Sequence, residues 1–472
     1  MEPDREHHIL SRIKELEREN ARLRQELERA QQRVRELERL IEELRRGGKR
    51  QAAPFSKGPP KLDPRTPGRK PGEEYGQRAF RPIPERVDET IEVPLPRTCP
   101  DCGGAVKEEG VEDQYQEDIP EMRPWVRRFR IHVGRCQRCR GRVQGRHRLQ
   151  TSDAVGAAKV QLGPRAVAVG AQMNKELGVP LGKVAAIFEV AFQFPVSRGG
   201  LCRAIERLGD KAGPTYDALK GAVARSEVVT PDETGWKRGG WLVWLWVFAT
   251  PEVTVYAILP GRGWEEAASV LGEDYEGVLV RDGWAPYRKF ERAEHQSCLA
   301  HLLSRCKEME EGESRAAGDL AWAVKRSLQG ALALRDRWEE GEISFHGLQV
   351  ARGRLEAGFD RLLERRCLNP AKRRLVRHLE NERPHLFTFL RKPGVEATNW
   401  RAEQALRPAV VTRKVCGGNR TWKGAYTQAV LASVFRTCRQ QGRDPHRLLV
   451  KLLQAPRPRV LGLIPSGPGP PA

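Results

Sequence analysis

The first regular pattern along the chain is a heptad repeat of apolar residues over residues 9–44. One position of the repeat holds Ile13, Asn20, Leu27, Val34 and Ile41, and a second holds Leu16, Leu23, Ala30, Leu37 and Leu44. Branched residues at the first position with leucine at the second favour a parallel two-stranded coiled coil, and one asparagine fixes its register. The pattern predicts a coiled coil over residues 1–47 that makes the chain a homodimer. The alternative is a single surface helix that packs on its own domain.

Two segments lack any periodicity of apolar residues. Residues 48–78 are rich in Pro, Gly, Lys and Arg, a composition typical of an extended basic linker. Residues 456–472 are rich in Pro and Gly and predict a disordered C-terminal tail. Between these two segments we expect a series of folded domains.

The apolar spacing of residues 151–215 is that of helices, and part of it is typical of a helix-turn-helix. We expect one helix over about Leu181–Ala191, a short turn, and a second helix that begins at Ser197, a good N-cap residue. Arg198 and Arg203 would then face a DNA groove or its phosphates. Generic helical packing explains the pattern nearly as well.

From residue 222 onward the pattern changes from helices to strands. The four predicted strands are SEVVTPDE (ending at Asp232), WLVWLWVFAT, EVTVYAILP and GVLVRDGWAPY, with the helix WEEAASVLG before the fourth. Strand, strand, strand, helix, strand is the order of a ribonuclease H-like fold. We therefore predict a multidomain α+β chain. Its α/β catalytic core covers residues 222–298 and 393–455, and a helical insertion covers residues 299–392.

Two carboxylates lie at the ends of predicted strands that are neighbours in such a fold. Asp232 ends the first strand and Asp282 ends the fourth. Carboxylates held close together in a partly buried site repel each other, and a bound divalent metal ion offsets this electrostatic repulsion. Glu233 is the alternative ligand, but side chains alternate along a strand and turn it away from Asp232. A third carboxylate is expected from a later helix, where Glu403 lies one helical turn after Asn399.

Four of the cysteines form two Cys-x-x-Cys pairs, Cys99 with Cys102 and Cys136 with Cys139. Each pair closes a turn, and four thiolates are a ligand set of tetrahedral Zn²⁺. The intervening WVRRFRIHVGR alternates like a strand. The spacing predicts a zinc ribbon over residues 79–150 with one structural Zn²⁺, and four unrelated thiols are the alternative. The many arginines around the pairs indicate that the ribbon contacts DNA.

The charge balance of the chain favours a nucleic-acid partner. The 472 residues include 83 Lys and Arg against 62 Asp and Glu, a net charge of +21. Such a balance suits double-stranded DNA, although an arginine-rich proteome alone would also produce it. The chain has no apolar run of roughly 18 residues, the minimum for a membrane helix, and its charged N-terminus is unlike a signal peptide. Its ten cysteines do not form a disulfide scaffold, so we expect a cytoplasmic, nucleoid-associated protein.

Taken together, the motifs resemble the DDE transposases of the insertion-sequence-66 family almost from end to end. The blocks that carry the resemblance are PFSKG and GRKPG in the linker, the cysteine pairs, DETGW at Asp232, RDGWAPY at Asp282, CLAH at Cys298–His301, and NWRAEQALRP with RKVCGG around Glu403. The last block is the most specific, because the acid, the arginines and RKVCGG occur together. The family usually has two asparagines before its glutamate, and Trp400 replaces the second one here.

The resemblance implies an enzyme in which Asp232, Asp282 and Glu403 bind two Mg²⁺ (or Mn²⁺) ions. Such a pair of ions can activate water or a 3′-hydroxyl and stabilise the leaving oxygen in an in-line displacement at phosphorus. The site would cleave DNA at the ends of a transposon and transfer the freed 3′-hydroxyl to target DNA. The side chains expected to hold phosphates near the scissile bond are those of Arg401, Arg407, Arg413 and Lys414. Elements of this group often encode accessory proteins, which are further candidate partners.

Several alternatives stay open at this stage. A structure-specific nuclease on the same fold would lack strand transfer, and a DNA-binding repressor would carry an inactive nuclease fold. Cys298 and His301 are either a metal-binding pair or a packing and hydrogen-bonding pair. The tryptophans near the acids and downstream are either core residues or platforms for an unpaired base, and they are Trp236, Trp284 and Trp422.

Overall fold

The computed structural model describes residues 81–155, 160–312, 315–364 and 369–464, together with the helical residues 16, 19, 21–34 and 36–37. In that N-terminal helix Leu23, Leu27 and Val34 are more than half exposed. The linker of residues 48–78 and the heptad positions Ile13, Asn20, Ile41 and Leu44 lie outside the described residues. Within the described part of the chain, no helix is long and apolar enough to cross a membrane.

The region of the cysteine pairs contains a short antiparallel hairpin, β1 (Val133–Arg135) with β2 (Arg142–Gln144). Cys136 and Cys139 lie in the turn between the two strands. The longer strand predicted from WVRRFRIHVGR is paired only at its last three residues. Residues 125–132 find no partner strand in the described part of the chain and are mostly exposed, so alternation alone does not produce a sheet there.

Helices follow the hairpin: α1 (Pro164–Ala171), a π-helical turn (Gln172–Glu176), α2 (Leu181–Phe192) and α3 (Arg198–Ala224). The Ser197 hydroxyl caps α3 by accepting a hydrogen bond from Gly200 N at 3.0 Å. Gln193 ends α2 in a left-handed conformation. The first helix, the turn and the start of the second helix lie close to the predicted positions. The buried face of α3, which includes Leu208 and Leu219, belongs to the main core.

The main sheet has five strands in the spatial order β5-β4-β3-β6-β7. They are β3 (Val228–Arg238), β4 (Trp241–Ala249), β5 (Thr254–Leu259), β6 (Val278–Arg281) and β7 (Glu294–Ser297). β3, β4 and β5 pair antiparallel, whereas β6 and β7 run parallel to β3. Helix α4 (Trp264–Leu271) connects β5 to β6. The first and fourth predicted strands, β3 and β6, are therefore neighbours, as the sequence predicts.

Asp232 does not end its strand, so this detail of the sequence prediction is wrong. β3 continues past Asp232 and pairs with β4, with Asp232 opposite Val247. The strand can continue because Gly239–Gly240, both at positive φ, form the tight turn that returns the chain into β4. The parallel pairing of β3 with β6 stops earlier, at Val229 and Leu279. Asp232 thus follows the point where β3 and β6 separate.

Strand β7 is not among the predicted strands. Its residues are polar, yet His295, Gln296 and Ser297 are buried. Residues 386–388 cover them: Gln296 Nε2 donates to Leu386 O at 3.1 Å, and Thr388 Oγ1 donates to His295 O at 2.7 Å. A strand whose buried side chains are satisfied by hydrogen bonds has no hydrophobic pattern to reveal it.

Four helices lie between β7 and the helix that carries Glu403: α5 (Leu299–Gly312), α6 (Arg315–Glu339), α7 (Phe345–Leu363) and α8 (Pro370–Glu382). Their apolar side chains form a second core that includes Val278 and Val280 of β6. The segment predicted as an insertion therefore packs directly on the strand that leads to Asp282.

Three helices follow: α9 (Trp400–Cys416), α10 (Trp422–Gln440) and α11 (Pro445–Gln454). The prediction of a disordered tail from residue 456 is wrong for residues 456–464. Leu461 and Leu463 are buried in the main core, and Leu461 N donates to Thr215 Oγ1 at 3.0 Å. The leucines find a place in the core that the proline-rich composition does not reveal. Residues 465–472 lie outside the described residues.

Candidate active site

The three predicted acids come from three different elements. Asp232 lies on β3 just after its parallel pairing with β6 has ended, and Asp282 directly follows β6. Glu403 lies in the first turn of α9, and its side chain is 44% exposed. The site is therefore built where the sheet opens between two parallel strands and a helix covers the opening.

The carboxylates of β3 and β6 are close enough to affect each other. Burial raises the pKa of Asp232 to about 7, and the negative charges of Glu233 and Asp282 contribute to the rise. A hydrogen bond from Glu233 N, 2.8 Å from Asp232 Oδ1, and the charge of His301 act in the opposite direction. Burial and the neighbouring carboxylates thus disfavour the charged form of Asp232.

His301, on α5, is the cation of this cluster. Its Nε2 lies 3.9 Å from Glu403 Oε1. A hydrogen bond with Cys298 raises the pKa of His301 to about 9, and the charges of Asp282 and Glu403 act in the same direction. The Cys298 thiol also accepts a hydrogen bond from Asn399 N at 3.4 Å. Cys298, which directly precedes α5, is thus connected to the start of α9.

Asn399 precedes the glutamate helix and has a buried side chain without partners. It is 1% exposed, and neither Oδ1 nor Nδ2 has a hydrogen-bond partner among the described residues. A buried amide without hydrogen bonds costs about 1–3 kcal/mol. Since Glu403 N donates to Asn399 O at 3.2 Å, this amide belongs to the same corner of the site. A bound group or water is the kind of partner that would remove the cost.

The donor set suits a hard divalent cation, because oxygen ligands from carboxylates are those that Mg²⁺ prefers. In the described part of the chain, no three or more His, Cys, Asp or Glu side chains are arranged closely enough to hold a metal ion. Among the described residues, the three acids are therefore not arranged as a complete coordination shell. Asp232, Asp282 and Glu403 are the residues that could provide one.

Glu233 faces a different environment from Asp232, and the sequence analysis did not foresee its partners. Arg262 Nε donates to Glu233 Oε1 at 2.6 Å, and Tyr287 Oη donates to Glu233 Oε2 at 2.6 Å. The Arg262 guanidinium lies between two rings, 4.0 Å from the centre of Trp284 and 4.9 Å from that of Trp244. Glu233 is thus already fully engaged, which supports Asp232 as the ligand.

Trp284 connects this arginine stack to the second acid. Its backbone N donates to Asp282 Oδ1 at 2.9 Å, and its indole Nε1 donates to Arg262 O at 3.3 Å. Burial raises the pKa of Glu233, although Tyr287 and Arg262 lower it in part. The stack therefore holds the turn after Asp282 in place through a buried acid on the neighbouring strand.

A second buried ion pair holds the other side of Asp282. Arg281 is fully buried, and its Nη1 lies 2.5 Å from Glu382 Oε2 of α8 and 3.0 Å from Asp282 O. Arg288 and Ser297 also donate to Glu382, at 2.7 and 2.5 Å. Burial alone would raise the pKa of Glu382, but Arg281 and these hydrogen bonds lower it to about 2. The carboxylate of Glu382 therefore connects the insertion to β6.

The predicted phosphate-binding residues have different surroundings. Arg407 and Lys414 are exposed on α9. Arg401 is bonded to Glu396 at 3.2 Å and lies over the ring of Trp400. Arg413 is partly buried, and its Nη1 donates to Thr234 Oγ1 at 2.9 Å and to Gly235 O. Arg413 thus connects α9 to β3, whereas Arg407 and Lys414 stay accessible to a ligand.

The start of α3 and the tryptophans complete the set of predicted contacts. Arg198 and Arg203 are exposed at the start of α3. Trp236 cannot stack on a base, because it is 1% exposed and its Nε1 donates to Asn419 Oδ1 at 2.8 Å. The ring of Trp284 is already stacked against the Arg262 guanidinium. Trp422 is 42% exposed and lies under Arg238, with the guanidinium carbon 4.7 Å from the ring centre.

The two cysteine turns have the same hydrogen-bond pattern. Cys99 N donates to Gly104 O and Gly103 N to Cys99 O, at 2.8 and 2.9 Å. In the second turn Cys136 N donates to Gly141 O and Arg140 N to Cys136 O, at the same two distances. Backbone N–H groups near each sulfur lower the pKa of Cys99 and of Cys136. Each turn is therefore suited to a thiolate pair.

This acidic site on a mixed sheet belongs to a protein of the transposase class, because a family model described as "Transposase IS66 family" matches residues 159–427. Within that class, the chain belongs to the IS66 family, which confirms the resemblance of its motifs. The match includes all three acids. The chain is also similar to the "Uncharacterized protein y4qI" of Sinorhizobium fredii (strain NBRC 101917 / NGR234). The two are 25% identical over 407 residues, which cover 78% of this chain and 72% of that protein.

Proposed function

We propose that the protein binds the ends of a mobile DNA element and catalyses metal-dependent cleavage and transfer of DNA strands. Asp232, Asp282 and Glu403 would hold the metal ions, Mg²⁺ or Mn²⁺. The observation that supports the proposal is the placement of the three acids: Asp232 follows the point where β3 and β6 separate, Asp282 directly follows β6, and Glu403 lies in the first turn of α9. Such a cluster is stabilised by a bound divalent cation.

The strand order supports the same proposal. Three antiparallel strands, a helix and two parallel strands in the order β5-β4-β3-β6-β7 are the arrangement of a ribonuclease H-like fold. When bound, a pair of divalent ions would activate water or a 3′-hydroxyl and stabilise the leaving oxygen. The protein's part is to hold the carboxylates in place, which the Glu233–Arg262 and Arg281–Glu382 pairs do for the turn after β6 and for β6 itself.

Double-stranded DNA is the proposed partner. The net charge of +21 suits a polyanion, and Arg407 and Lys414 lie accessible on the helix that carries Glu403. Arg401 and Arg413 have protein partners, so a phosphate contact by either would compete with Glu396 or with the backbone of β3. Arg198 and Arg203, exposed at the start of α3, are proposed to contact DNA through a helix-turn-helix.

Two further parts of the proposal concern assembly. One structural Zn²⁺ would join the two cysteine turns, whose matching hydrogen bonds and lowered thiol pKa values suit thiolate ligands. The exposed heptad residues of the N-terminal helix, among them Leu23 and Leu27, would pair two copies of the chain. A dimer of this kind could hold both ends of one element.

The central test is strand joining by the full-length protein. A labelled duplex that carries the element's terminal sequence and a free 3′-hydroxyl is incubated with a supercoiled plasmid and Mg²⁺. Asp282→Asn is expected to abolish both cleavage and joining, and also the increase in unfolding temperature that Mg²⁺ gives the wild type. The change removes a metal-binding charge and keeps the size of the side chain.

The matched control is Asp274→Asn, which removes an exposed carboxylate just before β6. This variant should leave strand joining unchanged, and Mg²⁺ should raise its unfolding temperature as it does for the wild type. Joining that survives Asp282→Asn would contradict the assignment of the acids. Cleavage without any joining by the wild type would instead favour a structure-specific nuclease on the same fold.

A further inference from the structure

The helical insertion presents unpaired arginines beside the acid cluster. Two of these arginines lie on α8, whose position relative to Asp282 is fixed by Glu382. This carboxylate accepts hydrogen bonds from Arg281, the residue before Asp282, and from Arg288 in the 3-10 turn that follows it. The exposed face of α8 therefore has a defined place next to the site.

One turn before Glu382, His378 packs on the residue that follows the second acid. A Cβ atom built on Gly283 would lie only 3.0 Å from His378 Cε1. Arg374 lies one further turn back on the same side of the helix, and Arg377 is adjacent. The opposite side of α8, with Leu375 and Leu379 among its residues, is buried, so the arginines point away from the core.

A second helix reaches the same place from the other side of the site. His301 of α5 contacts Glu403, and Arg305 lies one turn further along α5. Arg305 is close to His378, because its positive charge adds to burial in lowering the pKa of that histidine. We name Arg374, Arg377 and His378 of α8, together with Arg305 of α5, the α5–α8 basic track.

The arginines of this track are free to bind a ligand. No hydrogen bond or ion pair of the Arg305, Arg374 or Arg377 side chain occurs among the described residues. Other arginines of the insertion are engaged: Arg335 and Arg337 pair with carboxylates on or beside α6. Guanidinium groups one helical turn apart are suited to oxyanions, which they can hold through two hydrogen bonds each.

We propose that the α5–α8 basic track binds successive phosphates of the DNA strand that carries the scissile bond. This inference rests on the proposed function. The track begins beside Asp282 and Glu403, so the strand that enters the site must leave it along this surface or along the α9 side. That strand is present in both cleavage and joining, whereas a target duplex is present only in joining. Because the track lies on α5 and α8, this proposal makes the insertion part of the DNA-binding surface.

The test compares two double variants of the full-length protein. Arg374→Gln with Arg377→Gln removes two charges from the track, and Arg335→Gln with Arg337→Gln removes two paired charges elsewhere on the insertion. Binding of a fluorescent random-sequence duplex is measured by anisotropy at several salt concentrations. Each lost phosphate contact should reduce the slope of log affinity against log salt by about 0.9, hence by about 1.8 for the track variant and by none for the control.

A second readout locates the contact on the cleaved strand. With the element's terminal duplex and Mg²⁺ but no target, the track variant should raise KM for cleavage about tenfold at little change in kcat, as expected for lost ground-state binding. An unchanged salt slope, or an effect on joining alone, would overturn the inference. If the wild type shows no cleavage but the salt slope of the track variant still falls, the result supports the DNA-binding surface and contradicts the proposed function. Arg305→Gln, on the other helix, should shift the slope by about half as much.

Discussion

Asp232 and Glu233 are adjacent on one strand, yet their carboxylates have opposite surroundings. Glu233 is held by Arg262 and Tyr287 through two bonds of 2.6 Å. Asp232 accepts one backbone hydrogen bond and faces the charge of Asp282. Alternation along the strand predicts that the two side chains diverge. The partners of Glu233 lie 29 and 54 residues away in sequence, and no local pattern announces them.

The two acids should therefore respond differently to loss of charge. Asp232→Asn is expected to leave metal-free stability unchanged or higher, because burial already disfavours its charged form, and to abolish cleavage. Glu233→Gln should lower the free energy of unfolding by about 1–3 kcal/mol, since it breaks a buried hydrogen-bonded ion pair. Urea unfolding without metal measures both effects. Equal stability of Glu233→Gln and the wild type would contradict the role assigned to the Arg262 stack.

At the scale of elements, α8 and β6 depend on one buried carboxylate. Glu382 is fully buried and balances the fully buried Arg281. Removing one partner of such a pair leaves an unpaired charge in the interior, which costs about 3–5 kcal/mol, whereas replacing both by apolar groups costs little. The insertion is therefore joined to β6 by charge as well as by the apolar core around Val280.

This connection predicts a specific pattern of stability. Glu382→Ala should lower the free energy of unfolding by about 3–5 kcal/mol, and Glu382→Leu combined with Arg281→Met should recover most of the loss. Glu380→Ala, an exposed position on the same helix, is the control and should be nearly neutral. Denaturant unfolding followed by circular dichroism gives the comparison. A double variant as unstable as Glu382→Ala would show that the pair is not the cause.

Two sets of buried side chains should destabilise the molecule in acid, in two stages. Burial and the charge of Arg281 lower the pKa of His295 and of His385 to about 4. Below pH 6.5 the unfolded chain takes up protons at these histidines and the folded chain does not, so their contribution to stability falls between about pH 6.5 and 4, whereas the raised pKa of Asp232 acts in the opposite direction. The pKa of Glu382 is lowered to about 2, so its contribution is lost at lower pH, below about 4.5.

Replacing a histidine should therefore flatten the first stage. His385→Gln is expected to reduce the loss of stability between pH 6.5 and 4 by up to about 3 kcal/mol, because it removes one of the protons bound only by the unfolded chain. His346→Gln, at an exposed position of α7, should leave the pH dependence as in the wild type. Urea midpoints at half-unit pH steps provide the measurement. A His385→Gln curve parallel to that of the wild type would exclude this explanation.

The sequence by itself determined the features that depend on neighbours along the chain. Strand and helix periodicity predicted the four strands and α4 in the observed order, and it placed both ends of α2 and the start of α3 within a few residues. The three acids and the cysteine pairs were recognisable because each lies in a short block of fixed spacing. The family followed from those blocks, and the match over residues 159–427 confirms it.

Only the tertiary structure decided which buried polar groups meet. β7 is polar and became a strand because the segment after α8 covers it, and Leu461 and Leu463 became core because α3 offers them a place. The charge pairs around Asp282 join residues from 29 to 101 positions apart. Such partners are chosen by packing that excludes water, where an unpaired charge is costly, and not by any local preference of the chain.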